Sequence, residues 1–123
     1  MSAPQRMRRV DEAIREVLSD ALAQDLKDPR VGFVTVTDVK TSPDLSHARV
    51  YVSVLGDEAA IAASLDGLRS AHGFLQGRIG DELRIKRTPT LDFVHDDTAA
   101  RAQRLEALID RVAPDEEPAE GGR

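Results

Sequence analysis

The sequence predicts a single α+β domain, one three-stranded sheet backed by helices on one face. Three observations carry this reading. A helical repeat of apolar residues runs from Val10 to Leu26, two β-branched segments flank a strong turn, and the helical repeat returns after Asp57 before one more short strand. The length agrees: 123 residues suit one domain of about 100–150, enough to bury a core without staples. Hydrophobic residues at 41% against charged residues at 32% give the balance of a soluble globular chain.

In the first helix Val10, Ile14, Val17, Leu18, Ala21, Leu22 and Leu26 recur at three- and four-residue steps, with Asp11, Glu12, Arg15, Glu16 and Asp20 opposite. Pro29 is expected to stop it, because the residue before proline is driven out of the α region. Two strands follow. Phe33–Val39 is rich in β-branched residues, and Ala48, Val50, Val52 and Val54 alternate with Arg49, Tyr51 and Ser53. Thr41-Ser42-Pro43-Asp44 between them is turn chemistry, so they pair as a hairpin with Arg49 and Tyr51 on its wetter face.

From Asp57 the apolar positions Ile61, Leu65, Leu68, Phe74, Leu75, Ile79, Leu83 and Ile85 restore the helical period. Glycine weakens a helix interior by about 1 kcal/mol relative to alanine, and Gly73, just after Ala71, places a kink between two helices at Ala71-His72-Gly73. A third strand, Thr90–His95, starts after Pro89. Asp97 or Thr98 then caps a short last helix built on Leu105, Leu108, Ile109 and Val112. The domain thus covers residues 1–112, and residues 113–123 form an acidic tail with nothing to bury, expected to be disordered. Phe33, Phe74 and Phe93 are expected in the core. The order α–β–β–α–α–β, plus the terminal helix, is that of a type II KH domain, an RNA-binding α+β fold.

Several function classes are poorly supported. Without cysteine there is no disulfide, thiolate metal site or cysteine nucleophile. No apolar run approaches the ~20 residues of a membrane span, and the basic start lacks the apolar stretch of a signal peptide, so a cytoplasmic protein with no membrane partner is expected. His47, His72 and His95 are scattered and show no metal-ligand spacing. Asp96-Asp97 reads as helix capping, and no active site is apparent. Gly77-Arg78-Ile79-Gly80 is a literal Gly-x-x-Gly, the clamp of ordinary KH domains. The apolar period through Phe74, Leu75, Ile79 and Leu83 nevertheless favours helix there.

Net charge is −5, yet Ala113–Arg123 alone carries −3, leaving 16 basic against 18 acidic residues in the body. Arg6, Arg8 and Arg9 form one basic knot. Arg69, Arg78, Arg84, Lys86 and Arg87 against Asp81 and Glu82 give +3 over Arg69–Arg87. Local fields, not totals, decide where a phosphate backbone sits. The plain alternatives are a frayed N-terminus for the knot, a solvated face for Arg78–Arg87, and a helix stop with an ion pair for Asp28-Pro29-Arg30.

Asp28-Pro29-Arg30, Ser42-Pro43-Asp44-Leu45, Ala48-Arg49-Val50-Tyr51-Val52-Ser53, Ala71-His72-Gly73, Leu83-Arg84 and Pro89-x-Leu91-x-Phe93 occur in this order. In them the chain resembles the ribosome-binding factor A family over about Arg8 to Val112. The Ala-x-Gly kink in place of the KH Gly-x-x-Gly is that family's distinctive feature; the low basicity of this chain is a departure. The resemblance implies a non-enzymatic assembly factor without cofactors. It would bind the small (30S) ribosomal subunit and promote late maturation and end-processing of precursor 16S rRNA, notably in the cold, before leaving ahead of translation. It would act as a monomer, with assembly GTPases as candidate partners. Arg6, Arg8, Arg9, Arg69, Arg78, Arg84, Lys86 and Arg87, with His72 and Gly73 at the kink, are the candidate RNA-binding residues. With aromatics at 3%, Tyr51 is the one plausible stacking platform, and shape and charge recognition is expected instead. The rival readings are a KH-like protein-interaction adaptor without RNA binding and a small hydrolase.

Overall fold

The computed structural model describes residues 3–97 and Glu106. The last helix expected on Leu105, Leu108, Ile109 and Val112 and the acidic tail lie outside the described residues; Glu106 itself is helical. Helix α1 (Ala3–Gln24) turns Ile14, Val17, Leu18 and Ala21 into the core. It departs from expectation at both ends. The helix already contains Arg6, Arg8 and Arg9, which are therefore helical rather than frayed. It closes before Pro29 can act: the N–H groups of Asp25 and Leu26 both donate to Ala21 O at 2.9 Å, a widened last turn. Pro29 belongs instead to a loop in which Asp28 accepts from Arg30 N, Nε and Nη2 at 2.9, 3.1 and 2.7 Å.

Strands β1 (Val34–Thr41) and β2 (His47–Val54) are antiparallel, with Val34 opposite Val54 and Lys40 opposite Arg49. An irregularity between Val36 and Asp38 leaves Thr37 as a bulge. The turn is held by Asp44, which accepts from the hydroxyls of Ser42 and Ser46 at 2.7 Å and from Ser46 N at 3.1 Å. Those donors hold the Asp44 carboxyl down at about 2, Ser46 contributing most. Leu45 completes the turn at a φ of 62°.

Helix α2 (Glu58–Ser70) starts on Asp57, whose side chain accepts from Ala60 N at 2.9 Å. Ala71 alone separates it from α3 (His72–Leu83), so the break falls at the expected kink, and Gly77-Arg78-Ile79-Gly80 lies inside α3 as helix. This helical crossover returns the chain to β3 (Thr90–His95), parallel to β2 with Ala48 beside Leu91 and Val50 beside Phe93. The sheet order is β1-β2-β3. α1 packs on β1 and α3, and α2 on β3, which gives the two-layer, type II KH arrangement.

Ala48, Val50, Val52, Leu91 and Phe93 from the sheet meet Ile14, Leu18, Leu68, Leu75 and Ile79 from the helices. Two of the three phenylalanines do not join them: Phe33 is 80% exposed and Phe74 45%. Phe33 stands one residue before β1, where its O accepts from Leu55 N at 3.1 Å beyond the last paired rung; Leu55 is exposed too. Phe74 precedes Leu75, and Leu75 with Ile79 takes the inward face at i, i+4.

Candidate nucleic-acid interface

The candidate residues separate into three groups. Along the kinked helix pair, Arg69, His72 and Gln76 line up against the outer edge of β3. Gln76 Nε2 donates to Pro89 O at 3.0 Å, Leu91 N donates to His72 Nε2 at 2.9 Å, and Arg69 Nη2 donates to Phe93 O at 3.4 Å. Edge strands expose unpaired backbone groups that need cover, and these side chains supply it at alternate residues. His72 and Arg69 are thereby engaged inside the protein. Arg69 also lies 3.9 Å from Asp66. Gly73 is exposed, and open space surrounds the position a Cβ would occupy.

Arg78 forms a second group by itself. Its guanidinium contacts Asp25 and donates to Glu82 at 3.1 and 2.8 Å, pinning α3 to the end of α1. The two carboxylates, Glu82 first, raise its pKa further.

The third group brings distant residues together. Arg6 and Arg9, one turn apart on α1, share a cleft of about 390 Å³ with Val10, Ala13, Ile14, Thr41, Leu45, Leu83, Ile85 and Pro89. Arg84, Lys86 and Arg87 alternate with those last wall residues and are exposed. The end of α3 explains the alternation. α3 ends at Arg84, a left-handed cap at φ 55° whose N–H, like that of Ile85, reaches Gly80 O. This αL closure turns the chain so that Ile85 points inward while its basic neighbours stay in water. Arg6, Arg9, Arg84, Lys86 and Arg87 make no ion pair among the described residues, in contrast to Arg15, Arg30, Arg49, Arg69 and Arg78. Among the described residues, cations without ion-pair partners thus lie on this cleft and next to its wall residues, although the chain as a whole is acidic. Arg8 is not among the cleft residues: it lines one surface hollow with Gln5, Arg9 and Glu12 and another with Asp11, Glu12, Arg15, Asp38 and Lys40.

The apolar floor of this cleft escaped sequence reasoning. Its one signal was Leu45, a leucine in an otherwise polar turn, 38% exposed. Thr41 lines the cleft, and its hydroxyl is buried without a hydrogen-bond partner among the described residues. Among the described residues no three His, Cys, Asp or Glu side chains are placed to hold a metal. The histidines do not converge: His47 pairs with Thr90 at one end of the sheet and His95 with Val52 at the other. No described helix is long and apolar enough to cross a membrane.

The comparisons agree with this architecture. Residues 6–109 match the family model of Ribosome-binding factor A. The chain is 51% identical over 117 residues to the ribosome-binding factor A of Halorhodospira halophila, covering 92% of this chain and 93% of that one. It superposes with a TM-score of 0.68 on the solution structure of a Thermotoga maritima protein described as a putative ribosome binding factor A, at 35% identity over 76% of this chain and 89% of that one. With a TM-score of 0.55 and 29% identity, over 72% of this chain and 89% of that one, it is also similar to the Thermus thermophilus ribosome binding factor A homology model fitted into a cryo-EM map of a 30S complex. The family-model match spans both basic clusters, the kink and all three strands, and the chain belongs to the ribosome-binding factor A family.

Proposed function

We propose that this protein is a non-catalytic assembly factor that binds the 30S ribosomal subunit and promotes late maturation and end-processing of 16S rRNA. The observation that carries the reading is the cleft that Arg6 and Arg9 share with Leu83, Ile85 and Pro89, the residues between which the exposed Arg84, Lys86 and Arg87 lie in sequence; none of the five makes an ion pair among the described residues. Arginine forks hold phosphates bidentately. Phosphate contacts position a protein on RNA without reading sequence, which leaves specificity to the shape of the folded RNA. Membership of the family and the fitted 30S complex of a relative support the choice of RNA. In this reading the protein works as a cytoplasmic monomer without cofactor, matters most in the cold, and shares its precursor subunit with assembly GTPases.

Co-sedimentation of the purified protein with 30S subunits across a salt series tests this. The protein should pellet with subunits at low salt and be lost steeply as salt rises, with the rRNA left uncut. No association at any salt would favour the adaptor reading, for which the exposed Phe33 and Leu55 at the opposite end offer a docking surface.

A further inference from the structure

The cleft between the two basic clusters is more than a gap between cations. Its floor and walls are aliphatic, from Val10, Ala13, Ile14, Leu45, Leu83 and Ile85, and at about 390 Å³ it falls in the size range of sites that enclose a small organic group. We propose that it takes one unpaired RNA nucleobase, turned out of its stack, while the phosphates on either side rest on Arg6 and Arg9 at one lip and on Arg84, Lys86 and Arg87 at the other. This deepens the RNA-binding reading above and rests on it.

Charge selects the occupant. A purely apolar guest would fill the floor but give nothing to Arg6 and Arg9 on the cleft or to the exposed Arg84, Lys86 and Arg87 next to its wall residues, whereas a nucleotide carries a flat apolar face and flanking anions in one covalent unit. Extruded bases are read by stacking between apolar side chains and by hydrogen bonds at their edges. The second of these has a candidate in Thr41, whose hydroxyl has no hydrogen-bond partner among the described residues. A rotation about χ1 that brings it to the cleft would let it donate to or accept from a base edge.

The test uses two RNA hairpins of equal length, one fully paired and one with a single bulged 2-aminopurine, titrated into the full chain. The protein should bind the bulged hairpin about tenfold more tightly, from burial of the base face against aliphatic side chains, and the 2-aminopurine emission should change as the base enters. Ala13→Leu, which fills the floor and leaves every cation, should bring the ratio of affinities near one. Thr41→Val, isosteric and compatible with a strand, should lower the ratio about threefold and keeps the question open to test if Ala13→Leu does not fold. Equal affinity of the native chain for both hairpins would overturn the base pocket while the RNA-binding reading stands; failure to bind either would overturn both. A bulge preference that survives in Ala13→Leu would place the base elsewhere. Binding of a peptide of residues 104–123 that Ala13→Leu abolishes, without any bulge preference, would give the cleft to the chain's own C-terminal segment and overturn the proposal.

Discussion

His72 Nε2 accepts the backbone N–H of Leu91 at 2.9 Å, and this bond ties the helix kink to the outer edge of β3. Arg69 and Gln76 repeat the contact at Phe93 and Pro89. The single-residue break at Ala71 thus lies within a three-point latch that covers a strand edge.

Removing the middle of this latch should affect stability before binding. His72→Ala strands the Leu91 N–H, and an orphaned donor costs about 1–3 kcal/mol. The variant should melt earlier, and the Leu91 amide should lose hydrogen-exchange protection. Its 30S affinity should keep the native salt dependence. An unchanged melt with a flatter salt dependence would make His72 an RNA ligand.

Two helical glycines should respond to alanine with opposite signs. Gly77 faces open space, so Gly77→Ala should gain up to about 1 kcal/mol of helix preference. At Gly67 a Cβ would come within 2.6 Å of Val31 Cγ2 and 3.4 Å of Arg30 Cβ. The Asp28–Val31 loop is seated there, and overpacking costs typically about 1–3 kcal/mol. Thermal melts of the two variants check this. A stabilised Gly67→Ala would show that the loop yields freely.

Arg84 should show stability and binding moving apart. It holds a left-handed cap at φ 55°, a conformation that suits glycine better by about 1 kcal/mol. Arg84→Gly should raise the melting temperature and weaken 30S binding at moderate salt. Loss of both together would assign the side chain a packing role.

Acid should loosen the two turns. Arg30 holds the Asp28 carboxyl at about 2, chiefly by hydrogen bonding, and Ser46 and Ser42 do the same for Asp44. Both are lowered from an ordinary value of 3.8, so the unfolded chain binds more protons than the folded one across this range. Their stabilisation is complete above about pH 4 and fades as pH falls toward 2. Asp44→Asn should be less stable at pH 7 and decline less than the native chain between pH 4 and 2. Parallel pH profiles for the two proteins would contradict the assignment.

Much of the fold was legible because its signals are local. Ile14, Leu18, Leu75 and Ile79 announce helices by spacing, Val50 and Val52 announce a strand by alternation, and all are buried. Where two elements must meet, the sequence was silent. Arg78 reads as a free cation until Asp25, 53 positions away, is beside it, and His72 until Leu91 is. The cleft needs the start of α1, the hairpin turn and the end of α3 at once. Phe33 and Phe74 misled because aromatic character favours burial on average, whereas strand ends and helix phase decide individual cases.

In the proposed function two clusters, Arg6 with Arg9 and Arg84 with Lys86 and Arg87, form one phosphate-binding end. The most direct measurement is the slope of log binding constant against log salt for 30S subunits, for alanine variants of each cluster and of both together. Each true contact removed should flatten the slope by roughly 0.7 to 0.9. The two clusters should add, while Arg78→Ala, already neutralised by Asp25 and Glu82, should leave the slope as it was. A fivefold-substituted protein that folds, binds as tightly as the native chain and keeps its slope would contradict the account.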